Sequence, residues 1–174
     1  MTETPGAETE AETESEVTPG TRVTTGTAGT PGAAGQAGGT ATDHQALAER
    51  WFTRAWAGGD PSIAEEVFAS DFVLNGQVVG PAGPRRSVAA VHAAFSDVGV
   101  DLDLVVTDGP FVVTHYTTTA RHTGTFRGVP PSGRSVRATG IVVWQVVDGK
   151  VVRDWNVFDT AALLAQITAA PPNP

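Results

Sequence analysis

A few titratable side chains in the second half of the sequence could move a proton near neutral pH. His122, in the segment Arg121-His-Thr-Gly124, is one candidate, because imidazole has the side-chain pKa closest to neutrality. An equally good interpretation is a histidine hydrogen-bonded within a sheet, where it fixes local geometry. Asp159 could be an acid or base, but its position before a predicted helix favours an N-cap. Asp154 could point inward from a strand, although we expect it to be exposed.

The residue types argue against several other kinds of site. The sequence has no cysteine, which excludes disulfides, thiolate nucleophiles and cysteine-bound metals. His115 and His122 fall on opposite faces of one predicted strand, so they do not form a ready pair of metal ligands. The segment of residues 128–133, Gly-Val-Pro-Pro-Ser-Gly, has too few backbone N–H groups for a phosphate-binding loop. We therefore expect neither a metal nor a cofactor.

The elements that must position these side chains begin with helices. Apolar residues at helical spacing predict a first helix that starts at a Thr42 or Asp43 cap and ends at Gly58-Gly59. A second, short helix follows Asp60-Pro61. Residues 71–75 read as a short strand, and a third helix is predicted from about residue 84 to residue 99.

Beyond the third helix the hydrophobic period changes to two, which is typical of strands. Apolar residues recur at every second position over residues 100–106. Long strands are predicted from Phe111 to about Phe126 and from Ser135 to Val147. A hairpin turn then leads into a strand from Val151 to Phe158, and a short helix at Ala161–Ile167 ends the pattern. Helices followed by an antiparallel meander indicate an α+β fold.

The chain divides into a tail and one domain. Residues 1–43 form an acidic, then Gly/Thr/Ala-rich tail without aromatic residues, which we expect to be disordered, as we do residues 169–174. Residues 44–168 form the predicted domain. Its acidic and basic residues are nearly balanced, which argues against nucleic-acid binding. The sequence has no membrane-length apolar run and no signal-peptide pattern at its start, so we expect a cytoplasmic protein without membrane contact.

A resemblance to a known family rests on three segments of the second half. They are Arg121–Arg134 (RHTGTFRGVPPSGR), Val147–Lys150 (VDGK) and Trp155–Asp159 (WNVFD). Together they resemble the SnoaL-like polyketide cyclase family of the nuclear transport factor 2-like superfamily. The resemblance implies a cone-shaped α+β barrel, in which N-terminal helices pack on a curved antiparallel or mixed sheet.

The resemblance also implies positions for the catalytic groups. Polyketide cyclases of this kind use an acid/base Asp on the last strand and a His on the strand before it. Counting from the Asp148-Gly149-Lys150 turn places these two positions at Asn156 and Val142. An amide forms hydrogen bonds but does not shuttle a proton near neutral pH. The resemblance therefore implies that Asn156 orients or polarises the substrate, while His122 or Asp159 moves the proton.

The resemblance implies a ligand cavity on one face of the sheet; from the alternation alone, this face would be an ordinary sheet core. Alternation along Ser135–Val147 puts the even-numbered residues of that strand on this face, with small side chains at its middle that leave room for a flat, hydrophobic ligand. The predicted substrate-binding residues are Trp51, Trp56, Asn75, Phe95, Val142, Trp144 and Phe158.

These features predict a cofactor-independent enzyme of secondary metabolism, such as antibiotic biosynthesis. It would act on a hydrophobic polyketide-type small molecule by cyclisation, isomerisation, or hydration and dehydration, as an isomerase or a lyase. Two alternatives stay open: a non-catalytic binding or scaffold protein with the same fold, and a hydroxylase-like auxiliary protein. The missing Asp and His favour the first alternative. The resemblance further implies a homodimer formed through the outer face of the sheet.

Overall fold

The computed structural model describes residues 39–169, so residues 1–38 of the predicted tail and residues 170–174 lie outside it. The elements are α1 (Ala41–Arg50), a π-helical segment (Trp51–Ala57), a 3₁₀ turn (Pro61–Ile63), α2 (Ala64–Val67), β1 (Phe68–Leu74), β2 (Gln77–Val78), α3 (Ala82–Ala94), β3 (Phe95–Asp108), β4 (Phe111–His122), β5 (Ser135–Val147), β6 (Lys150–Phe158) and α4 (Thr160–Thr168). None of the helices in this part of the chain is long and apolar enough to cross a membrane.

The strands form a single six-stranded sheet in the order β2-β1-β6-β5-β4-β3. β1 runs parallel to β6, and every other neighbouring pair is antiparallel. α1 packs against β3 and β4, the π-helical segment packs against β3, and α4 packs against β5. Register shifts in β3 and between β5 and β6 bend the sheet around these helices. The predicted α+β fold, with N-terminal helices packed on a curved mixed sheet, is confirmed.

The first helix begins earlier than the sequence predicts. Thr40 is its N-cap, since the Thr40 hydroxyl accepts a hydrogen bond from the Asp43 N–H and the Asp43 carboxylate accepts one from the Thr40 N–H. The predicted cap at Thr42 or Asp43 is therefore wrong, because Asp43 is the fourth residue of this capping box. His44 lies inside the first turn and is buried. The helical stretch ends at Gly58, as predicted.

The third helix ends earlier than predicted, at Ala94. Phe95 has helical spacing with the apolar residues before it, but it starts β3 and pairs with His122 of β4. β4 in turn ends at His122 rather than near Phe126, because the Gly124 N–H turns away to donate to the carbonyl of Ala94 (2.8 Å). Both differences come from contacts between segments that are distant in sequence.

The inner face of the sheet forms the core together with the helices. In β5 the even-numbered residues from Val136 to Val146 are buried, so the predicted inner face of this strand is confirmed. The side chain of Trp144 stacks on Phe52 of the π-helical segment at a centroid distance of 6.1 Å and meets Phe68 of β1 edge-on at 5.7 Å. Aromatic contacts therefore join the π-helical segment, β1 and β5 at the centre of the domain.

The outer face of the sheet carries exposed apolar side chains. They are Leu104 and Val106 of β3, Ile141 of β5, and Trp155 and Val157 of β6. Within residues 39–169, β3 also forms an unpaired edge of the sheet, and two register shifts interrupt its pairing with β4.

Candidate active site

Two adjoining cavities lie between the inner face of the sheet and the helices. The large cavity, of about 290 Å³, has mainly apolar walls that include Phe95, Val136, Ala138 and Leu163. The small cavity, of about 40 Å³, is lined among others by Trp144 and Asp154. Both are lined by Trp56, Ser87, Tyr116 and Asn156, which mark the place where they meet. The large cavity has room for a small ring system, and the small one has room for a single group such as a carbonyl.

The small cavity contains the buried carboxyl group of Asp154. Asp154 is only 6% exposed. The expectation of an exposed side chain is therefore wrong, because helices and β1 cover this face of β6. Burial raises the pKa of the carboxyl to about 7, while the Trp144 indole N–H and the Asn156 amide lower it to a smaller extent. Neither Oδ1 of Asp154 nor the indole nitrogen of Trp144 makes a hydrogen bond of ordinary geometry within residues 39–169. The carboxyl group is therefore free to bond to a ligand and is partly ionised at neutral pH.

Tyr116 of β4 is a second polar group at the junction of the cavities. Its ring lies over Gly140 of β5, where a Cβ atom would stand only 2.5 Å from the tyrosine hydroxyl oxygen. Burial and, to a smaller extent, the nearby charge of Asp154 raise the pKa of Tyr116 above its usual value, so the phenol stays protonated and can donate a hydrogen bond. Tyr116 was not among the site residues predicted from the sequence. Alternation along β4 could have identified it, because Tyr116 lies on the same strand face as the buried Val112 and Thr114.

Asn156 lines both cavities, and the side chain of Asn75 holds its backbone. The Asn156 N–H donates to Oδ1 of Asn75 (2.8 Å), and the Asn75 side-chain amide donates to the Asn156 carbonyl (3.1 Å). The Asn75 backbone N–H also donates to the carbonyl of Asp154 (2.9 Å). Asn75 was predicted to bind substrate but lines neither cavity. It instead positions the segment of β6 that carries both polar residues.

The π-helical segment brings Trp56 to both cavities. The turns of this segment are wider than those of an α-helix: the Gly58 N–H donates to the carbonyl of Thr53, five residues back (2.9 Å). Nε2 of His92 on α3 lies 2.8 Å from the carbonyl oxygen of Trp56 and, in the tautomer with a proton on Nε2, donates to it. This contact ties the end of the π-helical segment to α3 and so fixes one wall of the site.

The two predicted proton carriers lie outside both cavities. His122 is completely buried, its ring centre is 5.2 Å from that of Phe95, and its Nδ1 accepts a hydrogen bond from the Ser132 N–H (3.2 Å). Asp159 is exposed, and its carboxylate accepts a hydrogen bond from the Ala162 N–H (2.8 Å) as the N-cap of α4. These contacts match the structural roles that the sequence also allowed for the two residues. His122 fixes the loop after β4, and Asp159 caps a helix.

The other predicted substrate-binding residues line one cavity or the other. Trp51, Val142 and Trp144 line the small cavity, whereas Phe95 and Phe158 line the large one. Within residues 39–169, no group of three or more His, Asp or Glu side chains could hold a metal ion.

The fold described above, with helices packed on a curved mixed sheet, agrees with the comparison with protein families. A family model described as SnoaL-like polyketide cyclase matches residues 46–167. The chain belongs to the SnoaL-like polyketide cyclase family. No curated protein matches its sequence.

Several solved structures share the fold of this chain. TsrD from Streptomyces laurentii superposes with a TM-score of 0.69 and 26% identity, over 75% of this chain and 98% of TsrD. AclR from Streptomyces galilaeus superposes with a TM-score of 0.68 and 26% identity, over 78% of this chain and 87% of AclR. A SnoaL-like protein from Jannaschia sp. CCS1 superposes with a TM-score of 0.67 and 26% identity, over 75% of this chain and 94% of the Jannaschia protein.

Proposed function

We propose that this SnoaL-like domain is a cofactor-independent acid/base enzyme that acts on a hydrophobic, carbonyl-containing small molecule of the polyketide type. The observation that carries the proposal is the buried carboxyl group of Asp154, whose pKa is raised to about 7 by burial. A general acid or base works best when its pKa lies near the working pH. We place this activity in the cytoplasm and in secondary metabolism, as the sequence predicts.

The two cavities suggest how a ligand would be held. Its ring body would occupy the large cavity, and its carbonyl group would enter the small one. The Tyr116 hydroxyl and the Asn156 amide would then donate hydrogen bonds to the carbonyl oxygen, while Asp154 faces the neighbouring carbon. Hydrogen-bond donors fixed in a buried site stabilise negative charge on an oxygen more than water does.

The chemical step is a proton transfer at carbon. Ionised Asp154 removes a proton from the carbon next to the carbonyl: the C–H bond breaks, an O–H bond forms on Asp154, and the electron pair moves onto the carbonyl oxygen. Return of the proton to another atom gives isomerisation. Alternatively, the enolate carbon attacks a second carbonyl, a C–C bond closes the ring, and Asp154 returns its proton to the resulting alkoxide. Asp154 thus takes the role that the sequence assigned to His122 or Asp159.

A bicyclic ketone tests this step without knowledge of the natural substrate. The wild-type protein should accelerate deuterium exchange next to the carbonyl of β-tetralone in D₂O, followed by proton NMR. Asp154→Asn should lower that rate by about 10²–10⁴-fold, the usual contribution of a general acid/base. Asp101→Asn, a matched change on the exposed side of β3, should leave the rate unchanged.

The same assay separates the enzyme from the non-catalytic alternative. Binding of β-tetralone without any acceleration of exchange by the wild-type protein would favour a binding or scaffold protein. Native mass spectrometry of the protein purified from its own host would supply the natural ligand for a repeat of the assay.

We also propose that a second copy of the chain covers the outer face of the sheet. The support for this proposal is the set of five exposed apolar side chains on β3, β5 and β6 described above. Their burial in a symmetric dimer would remove this apolar surface from water.

A further inference from the structure

Arg127 lies in a turn whose backbone suits other residues better. The turn of residues 126–129 is closed by two hydrogen bonds, from the Phe126 N–H to the Val129 carbonyl (3.0 Å) and in the reverse direction (2.9 Å). Its two central residues have positive φ angles, 47° at Arg127 and 83° at Gly128. Such two-residue turns favour Asn-Gly or Gly-Gly, because most side chains are strained at positive φ.

The side chain of Arg127 lies at the edge of the large cavity. Arg127 and Phe126 both line this cavity, and the guanidinium carbon lies 5.9 Å from the centre of the Phe126 ring. Among residues 39–169, no Asp or Glu lines the large cavity. Within residues 39–169, Arg127 also forms no salt bridge. The cavity therefore combines apolar walls with one permanent positive charge at its edge.

We propose that the ligand of this cavity is an aromatic or polycyclic anion whose carboxylate or other negative group binds to Arg127. Its ring body lies on the apolar walls, and the end remote from the negative group points towards the junction with the small cavity. This assignment rests on the proposed function for the reacting end of the ligand.

Two test ligands with the same ring system, one charged and one neutral, test the proposal. Naphthoate is an aromatic anion, and methyl naphthoate has the same rings without the charge; their affinities are measured by isothermal titration calorimetry. The wild-type protein should bind naphthoate more tightly. Arg127→Asn should weaken naphthoate binding by about fivefold, as expected for an exposed ion pair, and should leave the ester unaffected.

Further variants separate charge recognition from folding. Asparagine suits a positive φ, so Arg127→Asn should not lower the thermal midpoint of unfolding. Arg127→Lys should keep most of the preference for the anion. Arg50→Gln removes the same charge from a residue that lines neither cavity and should leave both affinities unchanged.

Several results would overturn the proposal. They are equal binding of the two ligands by the wild-type protein, equal weakening of both ligands by Arg127→Asn, or an equal loss of naphthoate binding in Arg50→Gln. These binding results do not depend on turnover. A protein that keeps its preference for the anion but fails to accelerate exchange in β-tetralone contradicts the proposed acid/base step alone.

Discussion

Replacement of Asp154 by asparagine should make the folded protein more stable at neutral and alkaline pH. Burial raises the carboxyl pKa from 3.8 to about 7, and a shift of about three units corresponds to roughly 4 kcal/mol. Between these two pH values the folded protein holds a proton that the unfolded chain has released. The free energy of unfolding therefore falls as pH rises through this range, and the full cost of the buried charge is present above about pH 7.

Asparagine has nearly the same shape as aspartate and does not ionise, so the variant should escape this cost. Urea unfolding of both proteins should give similar free energies near pH 4 and a difference of roughly 2–4 kcal/mol in favour of the variant near pH 8. Of the described residues that line the small cavity, Tyr116 is the only other titratable one, and its raised pKa keeps it protonated throughout this range. The difference between the two proteins therefore reports on Asp154.

Asp101→Asn is the matched control, because Asp101 is exposed and its replacement should have little effect at any pH. A difference between the wild-type protein and Asp154→Asn that stays constant from about pH 4 to pH 8 would refute the argument from burial. The carboxyl would then have an ordinary pKa, and the physical basis for its role as acid and base would be lost.

Two further predictions concern the cavity wall and the outer face of the sheet. Gly140→Ala should cost about 1–3 kcal/mol in urea unfolding, because the new methyl group displaces the ring of Tyr116; an unchanged midpoint would contradict the close packing. Val157→Lys should shift the protein towards monomer in sedimentation velocity, whereas Val78→Lys on β2 should not, although the two valines are 74% and 73% exposed. Equal sedimentation of both variants and the wild-type protein would argue against a dimer through this face.

The sequence predicted those parts of the fold that depend on local pattern. The bounds of β5 agree with the prediction because alternation along this strand is strict and a hairpin turn ends it. The end of α3 was not predictable in this way. Phe95 has helical spacing in the sequence, but in the structure it pairs with His122, and a local pattern contains no information about such a partner.

The sequence predicted most of the apolar residues of the candidate site but fewer of its polar groups. The sequence placed Trp144 and Val142 on the cavity face through strand parity. The same parity applied to Asp154, but the general tendency of carboxylates to be exposed outweighed it. Whether Asp154 is buried depends on the π-helical segment and β1, which lie far away in sequence and cover that end of β6.

The free edge formed by β3 affects how this protein can associate with itself. An unpaired edge invites a strand from another molecule, and repeated addition leads to fibrous aggregates. Here two bulges break the regular spacing of the strand, and Asp97, Asp101, Asp103 and Asp108 place negative charges along it. Two such strands laid side by side would repel each other and would lack a continuous ladder of hydrogen bonds. Growth into an extended sheet is therefore disfavoured, even though this strand is among the longest in the domain.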